Sequence, residues 1–443
     1  MTISDASLPR LLDQAEAFFW LLDRHSAMNF SVIAEGSGAL SAAEIAAALP
    51  QLQARHPLLT VAITLDEAGR LIFQPAPEKH AVLTHTTHRT KDWHTQLARA
   101  TVQPFALATA PLFRAHLYLL PDEHWVLALT FHHSIADARS AFTVLRELLE
   151  LAGGTSPPLP AIAPRPSLLT LYPPHWRGAA GQAAAATLKA IKRDENKQAG
   201  SPATLPAYQE LLPLLQPEFI SLRHSPPQLQ AMLARAKAEQ TTLHGLIGAA
   251  QLLAIRQQID GNGEKLLGLT SPADLRPSLE PAMDTHTPGF YVTLLAPSFM
   301  VGGPEDFWPL AREISARNRR DYLRGDGHHL YHFYPPAESF APTAEGQAAF
   351  DAMMLRGHQS SVLSNVGGIP AFSGLRADIQ VERLSFCLSP APKQPIFTSV
   401  TSYADRLTLN ISYDSARLPE HLARQIAHML DHWLRWASSD QDD

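Results

Sequence analysis

The sequence predicts an α/β protein of two domains, on three observations. The chain has 443 residues, beyond the length at which one hydrophobic core stops growing. Strand-like and helix-like apolar patterns alternate through both halves. Residues 124–150, HWVLALTFHHSIADARSAFTVLRELLE, pass from a buried strand through a short polar elbow into an amphipathic helix. The apolar run from Trp125 to Leu129 has the length of a buried strand. Ala141, Phe142, Val144, Leu145, Leu148 and Leu149 fall at helical spacing.

The other elements follow in order. Residues 10–24 place Leu11, Leu12, Ala15, Phe18, Phe19 and Leu22 on one helical face. Residues 29–34 read as a strand. Ser41 and Glu44 form a capping box for a helix that runs to about Arg55. Pro57 ends it, and 58–64 pairs with 70–74 across Asp66-Glu67-Ala68-Gly69. Residues 114–120 and 125–131 form a hairpin across Pro121-Asp122-Glu123. The proline-rich stretch 153–175 has no period and reads as an extended crossover. It divides the chain into residues 1–175 and 176–443. In the second part, helices are expected at 178–192, 226–237, 243–258, 307–323 and 418–436. Strands are expected at 266–270, 290–295, 362–365, 379–388 and 407–413. Residues 324–348 carry Gly, Pro and His without a period and read as a mobile loop or lid.

Composition narrows the function classes. Hydrophobic content of 45% and charged content of 18% describe a globular protein with material for cores. The formal net charge of −6, with no long basic block, argues against nucleic-acid binding. The single cysteine, Cys387, rules out an intrachain disulfide and a thiolate metal cluster. The N-terminal residues lack the apolar core of a signal peptide, and no apolar run approaches the ~20 residues of a membrane helix. The expectation is a monomeric cytoplasmic enzyme.

The elbow His132-His133-Ser134-Ile135-Ala136-Asp137 carries the chemistry. Imidazole titrates near neutral pH and suits proton transfer. Adjacent side chains on an extended backbone point to opposite faces, so one histidine enters a cavity while the other packs inward. No HExxH spacing, cysteine pair or carboxylate set accompanies them, and no metal is expected. With no GxSxG elbow, covalent catalysis has little support. His133 then reads as a general base that activates an alcohol or amine attacking an already activated thioester. The bland alternative is a pair of satisfied histidines at a strand end. Asp137 has two readings: the N-cap of the following helix, or a buried carboxylate paired bidentately with Arg276 of Ser271-Pro272-Ala273-Asp274-Leu275-Arg276-Pro277.

His132-His133-Ser134-Ile135-Ala136-Asp137-Ala138 resembles the HHxxxDG motif of the condensation-domain and chloramphenicol-acetyltransferase-like superfamily. Weaker similarities extend over most of the chain. They are the "RHPLL" ending at Arg55–Leu59, the strand and turn of 268–277, Gly289-Phe290-Tyr291-Val292-Thr293 beside a GxFxN segment, and Ser364-Asn365-Val366-Gly367 beside "SNxG". Tyr413-Asp414-Ser415 also fits. The chain is most similar to the free-standing polyketide-associated acyltransferases. The resemblance implies two chloramphenicol-acetyltransferase-like lobes forming a pseudo-dimer, with an active-site tunnel between them. It implies that His133 is catalytic, with His132 supporting it, and that Asp137 is structural with Arg276 as its partner. Ser364 and Asn365 would meet the substrate, and Asn365 or nearby N–H groups would steady the oxyanion. Two positions depart from the pattern: Ala138 replaces the motif's Gly, and Thr293 replaces the Asn of GxFxN.

The implied reaction moves an acyl group from a phosphopantetheine thioester, on acyl carrier protein or CoA, to an alcohol. No bound cofactor is expected. The rivals are amide formation with an amine acceptor, a non-catalytic module that recruits carrier proteins, and a thioester hydrolase. Two side features carry open alternatives. Arg312, Arg317, Arg319, Arg320 and Arg324 would meet a CoA phosphate or an acidic carrier, or form a solvated face. His328, His329 and His332 would bind a metal or belong to a polar loop.

Overall fold

The computed structural model describes residues 7–86, 92–153, 160–210, 215–284, 287–340 and 343–439. Residues 154–159 of the expected linker, 341–342 of the expected loop and the first six residues lie outside this set.

Two mixed sheets dominate. The first has five strands in the order Ile379–Leu388, Asn29–Gly38, His124–His132, Phe113–Leu119 and Leu83–Thr86. The strand leading into the elbow is therefore the central one, and every residue from Trp125 to His132 is buried. Its hairpin with Phe113–Leu119 is antiparallel, with Leu119 opposite Trp125. The second sheet runs Val292–Leu295, Lys265–Asp274, Ser360–Ile369, Phe397–Tyr403, Arg406–Asp414, Pro217–His224, and Ser298–Val301 pairs with the first part of Lys265–Asp274. Parallel pairs flank Ser360–Ile369, while the rest of this sheet is antiparallel. Leu71–Pro75 joins Val61–Leu65 and Arg10–Leu11 in a small third sheet.

The chain does not keep to one lobe on either side of residue 175. Strand Ile379–Leu388 returns to pair with Asn29–Gly38 at the edge of the first sheet. One core accordingly joins Phe18, Phe142 and Leu148 to Phe290, Tyr331, Phe350 and Phe386. A second core, around helix Leu243–Arg256 and the closing helix Glu420–Ser438, is built from residues after 200 alone.

Several expectations change. Residues 57–60 form a 3-10 turn, and the strand begins only at Val61. The later part of the expected linker is packed rather than free: Leu168, Leu171 and Tyr172 are buried, and the Leu169 amide donates to Asp13 Oδ2 at 3.0 Å. The described residues of 324–348 carry short helical turns and the start of helix Ala344–Met354, with His328 and Tyr331 buried. In the arginine-rich helix Phe307–Arg324 most arginines are paired within the chain, while Arg319 is exposed. Arg320 and Arg324 pair with Glu195 and Asp321, and Arg312 pairs with Glu239. This network fastens helix Gly178–Ala199 to the second lobe. His328 donates to or accepts from Ser278 Oγ at 2.7 Å and packs, tilted by 37°, against Trp176 at 3.8 Å between ring centroids.

Candidate active site

The elbow is fixed from three sides. Strand His124–His132 ends where the His132 amide donates to the Leu112 carbonyl at 3.0 Å, and the Ile135 amide closes a turn onto the His132 carbonyl. From the first helix, Gln14–His25, the Glu16 carbonyl accepts from Ser134 Oγ at 2.8 Å. That helix starts with an Asp13–Glu16 capping box, and the buried Glu16 carboxylate is held by both Nη atoms of Arg10 at 2.6 and 2.7 Å.

The two histidines part where the strand ends: His132 is its last residue, and His133 is the first residue of the turn that follows. His132 is fully buried. Its Nδ1 accepts from the Ser134 amide at 3.2 Å, so the proton resides on Nε2, which lies 3.6 Å from Asp23 Oδ2. His133 lines a cavity of about 290 Å³ between the two sheets. Phe19, Phe30 and Phe290 surround its ring at centroid distances of 4.4, 4.8 and 5.7 Å. Burial lowers its pKa to about 4, against the smaller opposing influence of its own and the Ala136 carbonyls and of Asp137. The ring is therefore neutral at neutral pH. Nδ1 is enclosed, which leaves Nε2 as the nitrogen available to the cavity.

Both readings of Asp137 hold at once. Oδ1 caps helix Ala138–Ala152 by accepting from the Ser140 amide at 2.9 Å. Both carboxylate oxygens meet Arg276 Nη2, at 3.0 and 2.9 Å. The expected two-nitrogen fork does not form. A single Nη2 spans the carboxylate because Nη1 is engaged by Asp274 at 2.9 Å. Tyr291 completes the set, its amide donating to Asp137 Oδ2 at 2.9 Å and its ring lying under the guanidinium. Burial alone would raise the Asp137 carboxyl, but Arg276 and the two amides hold it below its ordinary value. The ion pair is nearly sealed, with side-chain exposures of 1% and 5%.

Ser140 is the joint that sequence reasoning missed. Its hydroxyl accepts from Arg276 Nη2 at 2.7 Å and from the Gly289 amide at 2.9 Å, and donates to the Gly289 carbonyl at 2.6 Å. Gly289 stands at φ +149°, and a Cβ there would lie 2.6 Å from the Tyr291 ring, so only glycine fits. The next residue, Phe290, thereby reaches the His133 ring. Ser140 was legible only as the helix residue three beyond an N-cap.

The second lobe supplies the far wall. Ser364 and Asn365 line the same cavity as His133. Asn365 Oδ1 accepts from the Gly367 amide at 2.8 Å, at an irregularity in the pairing of Ser360–Ile369. This orients the side chain and leaves its amide NH₂ as a donor. Ala138 is the first residue of its helix and does not take a positive φ, so the missing glycine costs no backbone strain. Its methyl faces the cavity instead. Thr293 is fully buried and donates to the Gly327 carbonyl at 2.7 Å; it does not line the cavity. Met28, Leu22, Phe386, Leu388 and Phe397 make the remaining wall largely apolar. Asn365 also borders a larger groove of about 670 Å³ between helices Pro226–Ala238 and Leu243–Arg256 and the hairpin at Ala404-Asp405.

A family model for the condensation domain matches residues 17–326. The chain belongs to the condensation-domain family. Curated relatives include tyrocidine synthase 3 of Brevibacillus parabrevis, 28% identical over 149 residues, which are 32% of this chain and 2% of that protein. Chondramide synthase cmdD of Chondromyces crocatus is 31% identical over 172 residues, 37% of this chain and 4% of its own length. The chain thus spans a small fraction of these relatives. Among solved structures, polyketide synthase associated protein 5 of Mycobacterium tuberculosis superposes with a TM-score of 0.66 at 18% identity, covering 98% of this chain and 99% of the other. Trichothecene 15-O-acetyltransferase TRI3 of Fusarium sporotrichioides gives 0.73 at 13% identity, covering 98% and 96%. The first condensation domain of the calcium-dependent antibiotic synthetase gives 0.69 at 17% identity, covering 99% and 98%. At such identities these likenesses establish the fold: two chloramphenicol-acetyltransferase-like lobes.

Proposed function

We propose that this condensation-family chain is an acyltransferase that forms an ester, taking its acyl group from a phosphopantetheine thioester on acyl carrier protein or CoA and passing it to an alcohol. The pathway would be polyketide, nonribosomal peptide or lipid assembly. The observation that carries the reading is His133: a neutral imidazole with one enclosed nitrogen, at the wall of a cavity to which both lobes contribute.

In this reading Nε2 of His133 removes the acceptor's hydroxyl proton as its oxygen attacks the thioester carbonyl carbon. The C=O π pair moves to oxygen, and the Asn365 amide donor steadies that charge. Collapse re-forms the carbonyl and breaks the C–S bond. The imidazolium returns its proton to the departing sulfur, giving an ester and a free thiol. Asp137, Arg276 and His132 touch no reacting atom; they hold the elbow. An amine acceptor uses the same base and gives an amide, and the peptide-assembly names among the relatives keep that reading open to the same assay.

The test incubates the purified chain with acyl-CoA and acyl carrier protein donors and with alcohols or amines, following products by mass spectrometry. Ester that disappears in His133→Ala supports the proposal. Amide alone, or free acid without acceptor, replaces it with condensation or hydrolysis. Unchanged biological activity in His133→Ala would mean a non-catalytic module.

A further inference from the structure

Two arginines of the elbow helix have no part in that proton transfer. Arg139 follows Ala138 directly and lines the cavity with His133. Arg146 is seven residues on, two turns along the same face of helix Ala138–Ala152. Both border a bay of about 120 Å³ that adjoins the cavity at Arg139 and is closed on its other side by Gly368, Ile369, Pro370 and Phe372.

Neither guanidinium is well satisfied among the described residues. Arg139 has five N–H donors and one carboxylate neighbour, Asp274 Oδ2, at 3.5 Å. Asp274 Oδ1 already serves Arg276. Arg146 Nε is buried, and the Glu150 carboxylate beside it stands at 3.7 Å, beyond hydrogen-bond distance. Thr143, between them, turns its hydroxyl proton to the Arg139 carbonyl at 3.3 Å, so it adds no donor to the bay. Gly367 lies beside Arg139, where a Cβ would stand 3.4 Å from Nη2. Two guanidinium groups on a partly enclosed wall, with spare hydrogen-bonding capacity, match an oxyanion.

We propose that Arg139 and Arg146 form an oxyanion-binding subsite that reads a charged group on one of the two substrates. It rests on the acyl-transfer reading and deepens it, because the bay meets the cavity at a residue that also shares a wall with His133. The shared ligand chemistry is a carboxylate or phosphate. Its source is either a carboxylate on the acceptor or the phosphate of the pantetheine arm. Arg139 and Arg146 are specificity residues here, and neither takes part in proton transfer.

Calorimetric binding tests this without turnover, so it is separable from the acyl-transfer proposal. The probes are 4′-phosphopantetheine against pantetheine, and 3-hydroxyhexanoate against its methyl ester. They are titrated into the wild type, Arg139→Gln, Arg146→Gln and His133→Ala. The expected result is a preference of at least about tenfold for the charged member of one pair. That preference is lost in Arg139→Gln, reduced in Arg146→Gln and retained in His133→Ala. Preference for phosphopantetheine assigns the bay to the donor; preference for the hydroxy acid assigns it to the acceptor. Equal binding within both pairs, or a preference that survives both arginine substitutions, overturns the subsite. A chain that shows the preference yet transfers no acyl group would retain the subsite and lose the acyltransferase function.

Discussion

In the proposed reaction His133 is the base, and a base must be neutral when its substrate arrives. Burial among Phe19, Phe30 and Phe290 achieves this for His133 by lowering its pKa to about 4. The acid limb of kcat/KM should therefore fall near pH 4–5 rather than near the ordinary histidine value of about 6.5. A steady-state profile from pH 4 to 8 checks this; a limb at 6.5 would mean that the ring is solvated in the working enzyme. Removing the ring in His133→Ala should lower the rate about 10²–10⁴-fold with a melting temperature close to wild type. Arg276 works differently. Arg276→Gln leaves Asp137 buried and unpaired, which costs roughly 3–5 kcal/mol. The expected outcome is a clear fall in denaturation midpoint, with activity lost in proportion to misplacement of the elbow. The two variants together separate a chemical role from an architectural one.

The elbow is one of several joins between elements on which the site depends. Helix Ala138–Ala152 is capped by Asp137, and the 289–291 segment is stitched to that helix through Ser140 and Asp137. Gly289→Ala should therefore act at both levels. It places a methyl against the Tyr291 ring in a backbone region that favours glycine, at a cost of about 1–3 kcal/mol. Thermal unfolding should register that loss, and kcat should fall with it because Phe290 packs against His133. At this scale the sequence was readable where one element carries its own signal. The Ser41 capping box and the hairpin from Phe113 to His132 are such cases. It was silent where the signal lies elsewhere. Strand Phe397–Tyr403 escaped notice because its hairpin turns on Ala404-Asp405, both at positive φ, and alanine is no turn residue. Strand Pro217–His224 is an edge strand with charged residues and a leading proline, features that weaken a strand pattern while suiting an edge.

The whole molecule is tied together by a strand that crosses from one part of the sequence to the other. Ile379–Leu388 completes the first sheet, so a fragment of residues 1–175 lacks an edge strand and the wall its core packs against. Such a fragment should show no cooperative unfolding transition by circular dichroism. A folded, monomeric fragment would mean that the first lobe is self-sufficient. Acid should also act on the molecule as a whole. Burial lowers His94, His116, His133, His244 and His329 to about 4 and His328 to about 3. Between roughly pH 6.5 and 4 the unfolded chain binds more protons than the folded one, so stability falls as pH falls through that window. Glu16, Glu35, Glu150 and Glu218, raised by burial, act in the opposite sense but are fewer. Melting temperatures at pH 7.5, 6 and 5 should decline in that order.

By itself the sequence determined the local grammar: a buried strand, a histidine elbow and a capped helix, because apolar period and capping chemistry are written within a few residues. It also pointed to one histidine entering a cavity and the other packing inward, although the strand ends at His132 and the turn at His133 makes the parting. Only the tertiary structure decided which ring meets the cavity and that one Nη of Arg276 spans Asp137 while Asp274 holds the other. It also placed Asn365 on the wall of the cavity that His133 lines and Thr293 off that wall, and paired most arginines of the arginine-rich helix with Glu195, Glu239 and Asp321. Those outcomes depend on groups brought together from distant parts of the chain, and no periodicity or local propensity records which of them will meet.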